Sequence, residues 1–218
     1  MVVLLAIAAL LGCAPEPSPC RLDARPASID EALDTIGALP SPVTLDCFLE
    51  SLERPLGLEL TSDIFSAQPA QGAESPRIFV RNDTLTLSVV PVGDARRLLE
   101  FGEHVEDGLT VKAELVFPID LPLDPMAAFD QVLANDDARA TGCSVCHLGE
   151  VHVGGGRYAS VPLRPQDSMI VPLEVLLEEH ATCDPAEDAE RCSMFSALLD
   201  HGEVEHAPFP AHYLTLGG

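Results

Sequence analysis

Basic side chains are scarce in this chain. Of its 218 residues only 12 are Lys or Arg, against 35 Asp and Glu, so the formal charge is −23, and Lys112 is the single lysine. Such a surface lacks the electrostatic footprint for a phosphate backbone or an anionic headgroup layer, which excludes nucleic-acid binding. Long apolar runs are scarce too. The run at the start, Val2 to Leu11, falls well short of the roughly 20 residues that span a bilayer core. No Ser-His-Asp arrangement, phosphate-cradling glycine loop or paired-carboxylate site stands out, and Gly154-Gly155-Gly156 reads as loop flexibility. There is no internal repeat. What is present, 47% hydrophobic and 22% charged residues, suits a folded chain of one domain or two small ones. Seven cysteines is an odd number, and in an exported protein one of them needs a fate other than pairing.

The apolar run has the length of a signal-peptide h-region. It ends in Leu10-Leu11-Gly12-Cys13, which resembles the lipobox of bacterial lipoproteins. That resemblance implies removal of residues 1–12 and a diacylglycerol on Cys13, so that the chain meets the lipid bilayer through its N-terminal anchor only. Alternating prolines in Ala14-Pro15-Glu16-Pro17-Ser18-Pro19 favour an extended tether over residues 13–27. Ala14, standing where an Asp would favour inner-membrane retention in that family, implies the bacterial outer membrane or periplasm.

Further along, Ser28-Ile29-Asp30-Glu31 has the form of a capping box and predicts a helix to Gly37, with a second helical stripe from Thr44 to Leu52. Period-two alternation over residues 78–90, around an Asn82-Asp83 turn, and over 109–117 predicts antiparallel strands. From Asp124-Pro125 onward helical signals return, with helices expected from 125, from about Pro172 to His180, and from about Pro185 to His201; no further strand run is evident. Residues 149–168, rich in Gly and Pro, read as a long ordered loop, and Glu103-His104 as part of a turn between strands. The expected organisation is α+β: a small antiparallel β-containing part over 28–121, then a mainly helical, cytochrome c-like part over 122–218.

Chemistry is concentrated in Cys143-Ser144-Val145-Cys146-His147. Two thiols three residues apart on one turn can add to the two vinyl groups of a haem, and the imidazole that follows then lies under the iron. The pentapeptide resembles the attachment motif of c-type cytochromes, which implies one covalent haem c held by Cys143 and Cys146 with His147 as axial ligand. Three other readings stand beside it: a thioredoxin-like pair, a zinc site drawing on Cys183 and Cys192, and a plain disulfide. For the second axial position the resemblance implies a downstream Met, and Met169, in a loop, is favoured over Met194, which lies in a helix. His152, His180, His201, His206 and His212 are alternatives, and Arg157 and Arg164 are candidates to neutralise haem propionates. Setting aside Cys13, Cys143 and Cys146 leaves four cysteines with three possible connectivities. The local pairs Cys20–Cys47 and Cys183–Cys192 close the shorter loops and are the expected ones.

The expectation is therefore an exported, lipid-anchored monohaem protein that carries electrons rather than an enzyme, its acidic surface favouring a redox partner with a cationic face. The alternative is a haem-free, disulfide-stabilised lipoprotein acting as a structural or interaction module. A peroxidase-type haem enzyme would need an open distal position.

Overall fold

A computed structural model describes residues 18–105, 108–134 and 139–215. The lipidation site expected at Cys13 and residues 13–17 of the expected tether lie outside the described residues. The first two helices form where their caps predict. In α1 (Ile29–Gly37) the Ser28 hydroxyl accepts from the Glu31 N–H, and in α2 (Leu45–Glu50) the Thr44 hydroxyl accepts from the Cys47 N–H. Each buries an apolar face, Ile29, Leu33 and Ile36 in the first and Leu45, Phe48 and Leu49 in the second.

Those faces rest on a sheet. Strands β1 (Leu56–Thr61), β2 (Arg77–Asn82), β3 (Leu85–Val89), β4 (Leu98–His104) and β5 (Thr110–Val116) form an antiparallel meander, with Asp83 at positive φ in the β2–β3 turn. Past β5 come the short helix α3 (Ala127–Gln131) and then two more strands, β6 (Val151–Gly154) and β7 (Arg157–Ser160), whose hairpin adds to β5. The two-residue β8 (Leu163–Arg164) and the helices α4 (Leu173–Ala181) and α5 (Ala189–Leu199) precede β9 (Val204–His206), which pairs parallel with β1. A last short strand, β10 (Leu214–Thr215), pairs with β8 apart from the main sheet. The main sheet thus has eight strands in the order β6-β7-β5-β4-β3-β2-β1-β9.

This overturns the expectation of a mainly helical, cytochrome c-like part over 122–218. Both edges of the sheet come from that stretch, and the helices there are short. The reason is local. Gly154, Gly155 and Gly156 all take positive φ, a region other residues rarely adopt, and so turn a tight hairpin where the glycine run resembles a loop. Alternate residues of the sheet point to opposite sides. Ile78, Val80, Leu87, Leu99, Ala113 and Leu115 join buried residues from all five helices in one apolar core. The other side of the sheet carries Glu59, Phe79, Ser88, Glu100 and Glu114 along one row across the strands. Among the described residues no helix is long and apolar enough to cross a membrane.

Candidate functional site

The cysteine motif lies over that second side. Gly142 to Val145 form a single 3-10 turn, anchored where the Gly142 N–H donates to the Val132 carbonyl at 2.8 Å and the Thr141 N–H to Glu150 Oε1 at 2.8 Å. The N–H groups of Cys146 and His147 both donate to the Cys143 carbonyl, at 3.1 and 2.8 Å, which sets the two cysteines one turn apart with the histidine next to them. Both cysteines are free thiols. The other four described cysteines are paired as Cys20–Cys47 and Cys183–Cys192, with Cα atoms 5.1 and 5.7 Å apart, so the ones considered for a zinc site with the motif are joined to each other.

His147 is oriented by a backbone group. Its Nδ1 lies 2.9 Å from the Val161 carbonyl, which can only accept, and burial, aided by the charge of Lys112, pushes the imidazole down to about 4. The ring is therefore neutral at ordinary pH with its proton on Nδ1, and the Nε2 lone pair is left for a ligand. Burial pushes the Cys143 thiol up to about 11, so it rests protonated.

Motif and sheet enclose a cavity of about 870 Å³, within the range of clefts that hold small organic ligands. Its floor is the polar side of the sheet. There Arg77 pairs with Glu100 and its Nε donates to Ser88 at 2.6 Å, while Lys112 donates to the Thr110 hydroxyl. Lys112 lies deep in the protein yet keeps accessible surface, because what it faces is the cavity; burial brings its amine down to about 8. The mouth is apolar. Ile64, Phe65 and Val145 line it while 62%, 73% and 85% exposed, a cost in water that an apolar occupant would relieve.

Glu114, on the same floor, is pushed up to about 7, first by burial and then by repulsion from Glu100 across the strand pair. The folded chain therefore holds this proton to higher pH than the unfolded chain, whose glutamate titrates near 4.5. Between those values the native state binds more protons, so this group makes stability fall as pH rises. In Glu114→Gln that contribution disappears and leaves unopposed that of His147, whose lowered value makes stability rise with pH, so denaturant unfolding is expected to show a larger gain in stability from about pH 5 to about pH 8 than in the natural protein. An unchanged difference would assign the pH dependence to other groups.

Of the residues singled out in the sequence, Cys143, Cys146, His147 and Arg164 line the cavity. Arg164 is paired with Asp167. Met169 does not line it; its carbonyl accepts from the Ser62 N–H at 2.9 Å and its sulfur lies 3.8 Å from the Ser62 hydroxyl. Met194 is buried in the apolar core. Arg157 reaches away to Asp30 of α1 at 2.7 Å and stacks over Phe129. The other candidate histidines are placed elsewhere: His152 on β6 beside Tyr158, His180 against Asp200, His201 near Glu50, His206 near Glu59, and His212 against Tyr213. The floor residues Arg77, Glu100, Lys112 and Glu114 went unread as site residues. The alternation over 109–117 carried a signal for two of them, since it sets Lys112 and Glu114 on the side opposite Val111, Ala113 and Leu115. Among the described residues no group of three or more His, Cys, Asp or Glu is clustered as for a metal ion. Comparison with protein-family models, with curated proteins and with solved structures returns no match.

Proposed function

We propose that the chain is an exported, lipid-anchored monohaem protein of the c type that passes electrons between partners at a membrane surface. The observation that carries this reading is the pair of free thiols one turn apart beside an imidazole whose Nδ1 is tied to Val161 and whose Nε2 is free. Each thiol would add across one vinyl double bond, sulfur to one carbon and its proton to the other, so attachment needs no oxidant. His147 would hold the iron from one side, with the Val161 carbonyl fixing the ring and raising its basicity. The apolar rim of Ile64, Phe65 and Val145 limits water at the mouth. Haem, when bound, supplies the one-electron couple. The acidic surface steers a partner with a cationic face toward the chain and weakens in its effect as salt rises.

The fit of the cofactor rests on a sheet-lined cavity rather than on a helical cytochrome frame. Chain made together with a haem-maturation system is expected to keep haem staining on a denaturing gel and to show a Soret band in solution. Absence of both, with three disulfides found by thiol counting, would favour a haem-free interaction module instead.

A further inference from the structure

We propose that Lys112 supplies the second axial ligand to the iron, an inference that rests on the cavity being the haem site. An iron held by His147 takes its other donor from the same cavity. Among the described residues no methionine and no second histidine lines it. The donors that do are Asp63, Glu100, Glu114, Tyr213 and Lys112. Asp63 accepts from the Phe65 N–H at 2.8 Å, Glu100 is paired with Arg77, and the Tyr213 hydroxyl lies 3.4 Å from His104 Nδ1. Glu114 offers only carboxylate oxygen, which suits harder cations than a haem iron, whereas Lys112 offers nitrogen.

The position of the amine favours this use. Lys112 stands opposite Gly102 across the β4–β5 pair, so no side chain from that neighbour covers the amine on the cavity side. Among the described residues the amine has a hydroxyl partner, Thr110, and no carboxylate within ion-pair distance. A deep ammonium so partnered is costly, and a coordinated neutral amine is not. On ligation the ammonium releases its proton to solvent and the nitrogen lone pair goes to the iron.

The test uses haem-loaded full chain in four forms: natural, Lys112→Arg, Lys112→Ala and Met169→Ala. Arginine keeps the positive charge but does not deprotonate, which separates ligation from charge. The natural protein and Met169→Ala are expected to be low-spin and slow to bind carbon monoxide when reduced. Both Lys112 variants are expected to lose the low-spin spectrum and bind carbon monoxide readily, with covalent haem and far-ultraviolet circular dichroism retained. A Lys112→Arg protein that stays low-spin overturns the proposal, as does a high-spin natural protein or loss of the low-spin spectrum in Met169→Ala. A natural chain with no covalent haem fails the haem reading itself, a result distinct from haem bound without Lys112.

Discussion

A chain carrying Cys143→Ser and Cys146→Ser together is expected to fold with both disulfides intact and to hold no haem after denaturation. The two thiols sit on a 3-10 turn outside the apolar core, so their loss should leave the sheet and helices unchanged. A surface or half-buried substitution of this kind typically shifts stability by about 1 kcal/mol or less. Covalent attachment, by contrast, needs a sulfur at each position, and serine oxygen does not replace it at a vinyl group. The expected result is staining at background level against full staining for the natural chain, with matching circular dichroism. Cys143→Ser alone should keep haem through one bond, and its mass should show one vinyl group left unreacted. Full staining of the double variant would place attachment elsewhere and remove the basis of the haem reading.

The second large effect is on folding. Phe48→Ala is expected to destabilise the chain by about 3–5 kcal/mol, the range for an aromatic ring removed from a packed core. Phe48 is 0% exposed and stacks on Phe117 with ring centroids 6.4 Å apart, so the ring is the point where α2 meets the segment after β5. Against a typical stability of about 5–15 kcal/mol this removes a large share. Equilibrium denaturation should show a lower midpoint with an unchanged slope. A loss under about 1 kcal/mol would mean that the core closes over the missing ring, which a junction between helix and sheet this well filled is not expected to do.

How far the sequence could be read depended on whether a segment carried its own local signal. Ser28 and Thr44 announce α1 and α2 because a cap is a contact between near neighbours, and the β2–β3 hairpin is visible through its turn. The two disulfides follow from locality in the same way. Strand β1 has no cap or turn residue pair to announce it. Its six residues do alternate, Leu56, Leu58 and Leu60 against the core and Gly57, Glu59 and Thr61 on the other side, but the run is short and bounded by Pro55, so its period-two signal is easily passed over. Strand β4 was obscured by Glu103, which shares the side of Leu99 and Phe101 and accepts from the Ile29 N–H, and β6–β7 by the three glycines that make their turn. The motif at 143–147 was legible because its spacing is chemical rather than conformational. The floor of the cavity was not, since Arg77, Glu100 and Lys112 come together only through strand pairing.

The parallel pairing of β9 with β1 has a kinetic consequence. One partner lies near the beginning of the described chain and the other near its end, with the motif between them in sequence. Pairings of such long separation close slowly and late, since the entropy of the intervening loop must be overcome first. As the chain folds from its N-terminal end the sheet therefore stays incomplete until nearly all of the described chain is available, and Cys143, Cys146 and His147 pass through that interval before the cavity forms around them.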